Sequence, residues 1–133
     1  MNVPSVGSIL DSKELNELFK AQQQGGIRVS KKNNCIVLIM DPSQNMYDDK
    51  WEGNILHYVG SGQKGDQEMK GPNKTLANSK EDGKEIHVFE KLRPNQYFYR
   101  GSGELVYEPY KENQNGRNVL VFPIKIEYSK AIE

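Results

Sequence analysis

The chain has 133 residues, with 18 Lys and Arg against 18 Asp and Glu, so its formal net charge is zero and diffuse attraction to polyanions is excluded. That length suits a single domain, expected over residues 1–133, which buries roughly two-thirds of its unfolded surface without a metal or disulfide staple. Mean hydropathy is −0.79, yet 7 Tyr, 4 Phe and 1 Trp among β-branched runs argue against disorder, and no run nears the roughly 18 apolar residues that cross a bilayer.

Met1-Asn2-Val3-Pro4 lacks the charged start and apolar run of a secretory leader. Asp11 and Glu14 have capping-box spacing, with Leu10 and Leu15 placed as a hydrophobic staple. A helix over residues 12–22 is expected, packing Leu15, Leu18 and Phe19 on a sheet and ending before Gly25-Gly26. Residues 27–32 and 35–41 read as a hairpin turning at Asn33-Asn34, because Asn tolerates positive φ. Its second arm is apolar on both faces, as a central strand should be, whereas the first carries Arg28, Lys31 and Lys32 and is expected at the edge.

Residues 42–53 form a polar, Asp-rich loop before the strand Ile55-Leu56-His57-Tyr58-Val59, which Gly60-Ser61-Gly62 stops. A second polar loop spans residues 63–72, and Asn73 can cap a short helix to about residue 79. Further strands are expected over residues 85–91, 97–100, 103–108 and 119–126, with turns at Asp82-Gly83, Arg93-Pro94-Asn95 and Asn115-Gly116, and an edge or bulge at Pro123. Six or seven short strands, an N-terminal helix, a short mid-chain helix and no βαβ alternation predict an α+β fold on a curved, barrel-like sheet.

Chemistry is sparse. Cys35 lies in an apolar run and reads as a buried thiol, and with His57 and His87 far apart nothing has metal-ligand spacing, so no metal or cofactor is expected. Around the strand 55–59, however, stand Tyr47-Asp48-Asp49, Trp51, Tyr58 and a glycine turn. Two aromatic rings can sandwich a nucleobase, a carboxylate can accept the exocyclic amine of cytosine while repelling the carbonyl of thymine, and glycine-freed backbone can reach the remaining polar edge. A tyrosine at a strand end also serves as a rim or core residue and Asp-Asp as a solvated turn, so the residues alone leave both readings open.

Tyr47-Asp48-Asp49, His57-Tyr58-Val59-Gly60-Ser61-Gly62 and Asn73-Lys74-Thr75-Leu76-Ala77-Asn78-Ser79 resemble the motifs of SRA (SET- and RING-associated, or YDG) domains, over a core of about residues 25–126. The likeness is closest to prokaryotic SRA-like domains of HNH modification-dependent restriction endonucleases, including Glu108-Pro109-Tyr110 and Val121-Phe122-Pro123. It implies a PUA-like barrel that flips a modified cytosine, 5-methylcytosine or 5-hydroxymethylcytosine, out of duplex DNA. Tyr47 and Tyr58 would stack on the base, Asp49 would accept from its amine, and Gly60 and Ser61 would contact base and phosphate. Counting back from Tyr58 selects Asp49, whereas counting forward from Tyr47 lands on Lys50, one residue short, which keeps Asp48 as the reserve. Residues 63–72 stand where a much longer eukaryotic loop fills the gap left in the duplex.

Arg28, Lys31, Lys32, Gln63, Lys64, Lys70 and Lys74 are the candidates for DNA backbone or groove contacts. Trp51 is expected to pack under the pocket loop and His57 to face away from Tyr58. The chain would be a recognition domain rather than an enzyme, in a bacterial cytoplasmic protein. An HNH nuclease domain in cis, absent here, would do the cutting, and a homodimer would form through that part. Two rivals remain: a metal-dependent nuclease using the Glu68-Met69-Lys70 element with Asp41 or Asp49, and a PUA-like RNA or small-ligand module. Since burying one methyl contributes about 0.8 kcal/mol, several-fold preference for 5-methylcytosine over cytosine is expected, more if the bare base leaves a cavity.

Overall fold

The computed structural model describes residues 2–43 and 49–127. Tyr47 and Asp48, the first ring and the reserve carboxylate, lie outside the described residues. Among the described residues, nine strands and two helices follow in the order β1 (Ile9–Leu10), α1 (Ser12–Phe19), β2 (Ile27–Ser30), β3 (Cys35–Met40), β4 (Lys50–Glu52), β5 (Ile55–Val59), α2 (Pro72–Ala77), β6 (Glu85–Arg93), β7 (Gln96–Leu105), β8 (Tyr110–Gln114) and β9 (Arg117–Ile126). The architecture is α+β, as expected, on one large mixed sheet of order β2-β3-β6-β7-β9-β5-β4, with β1 added to β7 and β8 to β9. Among the described residues β2 and β4 end that order without pairing with each other, so the sheet curves but does not close.

The helix starts where its chemistry dictates: Asp11 accepts from Glu14 N at 2.8 Å while Glu14 Oε1 accepts from Asp11 N at 3.0 Å. It ends at Phe19 rather than residue 22. Ser30 Oγ and Asn33 Nδ2, both from the hairpin, donate to Phe19 O at 2.6 and 2.7 Å and satisfy a terminal carbonyl that a further turn would have used. Lys20 then takes the left-handed conformation, φ 55°. Leu15 and Phe19 bury against Val37, Ile39, Phe89, Tyr97 and Tyr99 on one face of the sheet. Ile36, Leu38, Leu56, Tyr58, Leu76, Phe122 and Ile124 pack within the curve on the other.

β2 and β3 form the expected hairpin, with β2 at the edge and β3 buried throughout. The turn is longer than two residues, so Lys31 and Lys32 leave the strand. β3 also pairs in parallel with β6, from Cys35 opposite Glu85 to Met40 opposite Glu90. Its crossover holds β4, β5 and α2, so absence of βαβ alternation did not mean absence of a parallel pair. β7 runs unbroken through Gly101 (φ 126°) and Gly103, where a Cβ would lie 2.5 Å from Lys125 O. Glycine there permits the close crossing onto β9 and bends the strand rather than ending it. Pro123 sits where β9 exchanges β8 for β7 as its neighbour, and its carbonyl accepts from Val106 N at 3.0 Å.

Candidate nucleic-acid interface

A cavity of roughly 220 Å³ is lined by Gly25, Gly26, Arg28, Ile39, Asp41, Asp49, Tyr58, Gly60, Ser61, Gln63, Lys91 and Tyr97, among others. Four of the residues read from the sequence as base-contacting, Asp49, Tyr58, Gly60 and Ser61, thus meet at one place. Asp49 precedes β4 and accepts from Val59 N, at the end of β5, at 2.7 Å. An ionised carboxylate accepts at about four positions, so this bond orients Asp49 without exhausting it. Tyr58 is 4% exposed and faces into the curve, its phenol donating to Ile39 O at 2.9 Å. That anchor fixes the ring plane, and Gly26 makes room for it, since a Cβ there would stand 2.5 Å from the phenol oxygen.

The glycine turn is held by two buried amides, Gln67 in the loop that follows and Asn73 on α2. Gln67 Nε2 donates to Gly60 O at 2.7 Å and Gly62 O at 3.1 Å, while Gln67 Oε1 accepts from Leu120 N at 2.9 Å. Asn73 Oδ1 accepts from Ser61 N at 2.7 Å, and Asn73 Nδ2 donates to Ser61 O and Glu68 O, both at 2.9 Å. Asn73 therefore does not cap α2, where Gly71 takes the cap position and Pro72 begins the helix. Gly60 N donates to Leu120 O at 2.8 Å. With both N–H groups committed inside the protein, what Gly60 and Ser61 can offer a ligand narrows to the Ser61 hydroxyl and second lone pairs on the carbonyls.

The cationic candidates divide. Arg28 and Gln63 line the cavity, and Lys64 is exposed in the turn beside Gln63. Lys70 pairs with Glu68 at 3.1 Å on the surface, and Lys74 is exposed on α2. Lys31 and Lys32 follow the other end of β2, whose span from Ile27 to Ser30 is itself roughly 10 Å. Their turn is tied instead to the start of β6, through Asn34 to Gly83 O and Lys84 Nζ. Sequence reasoning missed Lys91 and Tyr97, which lie opposite each other across β6 and β7 on either side of a turn recognised only as a turn. It also missed Gln67 and Asn73 as supports, because isolated amides in polar loops carry no pattern.

Arg28 is 9% exposed, its Nε donating to Gly25 O at 2.9 Å and its guanidinium carbon 5.7 Å from the centre of the Tyr97 ring. Burial pushes the Tyr97 phenol up, but hydrogen bonds from Ser12 and Arg28 and the charges of Arg28 and Lys91 outweigh it, leaving the pKa below 10.0. Lys91 Nζ lies 3.8 Å from Asp41 Oδ2. Trp51 packs on the inner core with the Arg100 guanidinium over its ring at 4.8 Å, and does not line the cavity. His57 faces outward, 3.0 Å from both Tyr110 Oη and Glu52 Oε1.

The ScoMcrA-like SRA domain model matches residues 6–126. The chain belongs to that family. This SRA domain superposes on the SUVH5 SRA domain in complex with hemi-methylated CG DNA with TM-score 0.73 and 25% identity, covering 95% of this chain and 92% of that one. KRYPTONITE in complex with mCHG DNA gives TM-score 0.73 at 16% identity over 95% of this chain and 33% of that one. The sulfur-binding and SRA domains of ScoMcrA complexed with phosphorothioated DNA give 0.70 at 17% identity over 93% and 40%. The chain thus spans about a third of KRYPTONITE and two-fifths of that ScoMcrA chain. A search of curated proteins finds no match.

The nuclease reading gains nothing from the geometry. Glu68 and Lys70 pair with each other in an exposed loop rather than on a strand, and no group of three His, Cys, Asp or Glu among the described residues is placed to hold a metal ion.

Proposed function

We propose that this SRA domain binds duplex DNA containing a modified cytosine and holds the extruded base in the cavity beside Asp49 and Tyr58. The observation that carries the reading is the carboxylate of Asp49, fixed by Val59 N at 2.7 Å at the wall of a cavity that also presents the Tyr58 ring. A carboxylate anchored this way is an acceptor aimed by the backbone, which suits the amine of cytosine and opposes the O4 of thymine. Tyr58, pinned at its phenol, offers a ring face whose orientation costs nothing further on binding. Tyr47 is proposed for the opposite face of the base, and Asp49, which lines the cavity, for its amine. Related folds support the ligand class: SUVH5 SRA has been solved with fully methylated and with fully hydroxymethylated CG DNA.

Flipping costs a few kcal/mol, which stacking and an amine contact of about 1 to 3 kcal/mol offset. The domain then reads DNA without cutting it. The nuclease step belongs to an HNH module in cis, through which two copies would associate, as in a type IV-like, modification-dependent bacterial restriction enzyme. ScoMcrA, a neighbour at TM-score 0.70 and 16% identity, is itself a type IV phosphorothioation-dependent restriction endonuclease.

Identical duplexes carrying cytosine, 5-methylcytosine or 5-hydroxymethylcytosine, titrated with wild type and Asp49→Ala, test this. Wild type should prefer a modified base several-fold, and Asp49→Ala should lose about tenfold or more on it while keeping weak, salt-sensitive binding. Equal binding of all three duplexes by wild type removes the reading, and an unchanged preference in Asp49→Ala moves the carboxylate role to Asp48.

A further inference from the structure

The cavity has a second, cationic wall that recognition of the cytosine amine does not use. Arg28 is nearly buried, yet among the described residues it forms no ion pair with a carboxylate; its partners are Gly25 O and Tyr97, whose ring it faces and whose phenol it hydrogen-bonds. Lys91, in register with Tyr97, makes a long ion pair with Asp41 at 3.8 Å. Burying a guanidinium with no carboxylate paired to it costs free energy, and a site that takes an anionic ligand offsets that cost when the ligand arrives. The guanidinium carries five N–H donors, one of which, Nε, is spent on Gly25. A further donor engages the Tyr97 phenol, and those that remain sit on a plane fixed by these bonds and the ring, the arrangement that suits two-pronged binding of a carboxylate or phosphate.

This wall and the base-reading wall meet at Gly25-Gly26. Gly26 O accepts from Ile39 N at 2.8 Å, and Ile39 O accepts the Tyr58 phenol at 2.9 Å. Only main chain therefore lies between the anchor of Tyr58 and the residue that holds Arg28. An anion on Arg28 and a base on Tyr58 can belong to one bound nucleotide or to neighbours in one strand.

We propose that Arg28, Tyr97 and Lys91 form an oxyanion subsite of this cavity, which takes an anionic oxygen pair of the bound DNA while Asp49 takes the base amine. The subsite rests on the base-reading function proposed above. Two sources carry that chemistry: the phosphate flanking the extruded nucleotide, and a carboxylate at C5 of a further-oxidised cytosine.

The test titrates wild type, Arg28→Gln, Arg28→Lys and Lys91→Gln with duplexes carrying cytosine, 5-methylcytosine or 5-carboxylcytosine. A parallel set replaces, one at a time, the phosphates around the target base with neutral methylphosphonates, and urea unfolding checks that each variant folds. Arg28→Gln should weaken binding about tenfold or more, and Arg28→Lys should recover only part because an ammonium cannot grip two oxygens. If phosphate is the ligand, one neutral linkage gives wild type the same loss and adds nothing to Arg28→Gln. If the base carboxylate is the ligand, wild type gains affinity for 5-carboxylcytosine that Arg28→Gln lacks. A loss of equal size on every duplex and linkage, or no loss, overturns the subsite. Failure of the base-reading function looks different: wild type then binds cytosine and 5-methylcytosine duplexes equally, while the methylphosphonate set on unmodified duplex still reports on Arg28. A wild type that binds none of these duplexes overturns both. Should Arg28→Gln not fold, Arg28→Lys and Lys91→Gln carry the same comparison.

Discussion

Gly26 shows how one missing methyl group shapes this cavity. A Cβ at that position would meet the Tyr58 phenol oxygen at 2.5 Å, and that phenol is tied to Ile39 O, so the ring cannot yield without losing a buried hydrogen bond. Gly26→Ala should therefore destabilise the fold by about 1 to 3 kcal/mol in urea unfolding and weaken modified-cytosine binding together; binding lost with stability intact would mean that Ala only narrows the cavity. His87 makes a different residue-level argument. Its ring is almost wholly buried, with Nδ1 2.8 Å from Tyr99 Oη and Nε2 3.5 Å from Glu85, too long for a good bond. Burial lowers its pKa from 6.5, outweighing the opposing pull of the Glu85 charge. In this window the unfolded chain binds the proton more readily than the folded one, so the histidine's contribution to stability is present above pH 6.5 and is lost as pH falls toward the folded pKa. Urea midpoints measured from pH 7.5 down to 5.5 should fall more for wild type than for His87→Phe; parallel curves would assign the pH dependence to other groups.

At the level of elements, what could be read from the chain was what is local. The capping box at Asp11 and Glu14, the hairpin at residues 27–41 and the turn at Asn115-Gly116 each depend on a few neighbouring residues, and each is present. β4 and β8 were missed because Lys50-Trp51-Glu52 and Tyr110-Lys111-Glu112-Asn113-Gln114 lack apolar alternation and are strands only by virtue of β5 and β9 beside them. The parallel pairing of β3 with β6 spans residues far apart in sequence and leaves no local mark. The site divides the same way. Asp49, Tyr58 and the glycine turn were legible as a motif, whereas Lys91 and Tyr97 enter the cavity only through the register of β6 on β7. The amide supports follow this logic too: Asn73 reaches from α2 to hold Ser61 and Glu68, at 2% exposure. Asn73→Ala leaves those part-buried backbone groups without their side-chain partner, which should cost about 1 kcal/mol. It should also raise amide exchange at residues 60–62. Unchanged exchange there would show that Gln67 alone holds the turn.

For the whole molecule, zero net charge places the burden of DNA attraction on where the cations lie. One end of the sheet carries the cavity with Arg28 and Lys91 in its wall and Lys64 in the adjoining turn, while Lys31 and Lys32 occupy the far end of the β2–β3 hairpin beside Gly83 and Lys84. A duplex docked so that one base enters the cavity would run past Lys64 before it could reach the distant pair. Each phosphate neutralised on B-DNA contributes about 0.9 to the slope of log affinity against log salt. Lys64→Ala should accordingly flatten that slope by up to about 0.9, without changing the ratio of 5-methylcytosine to cytosine binding, because a phosphate contact positions the duplex and does not read the base. The double change Lys31→Ala with Lys32→Ala should leave both slope and ratio as they were. A reduced slope in the double variant alone would mean that the duplex crosses the hairpin tip, which would require an approach to the cavity along β2 rather than across the glycine turn.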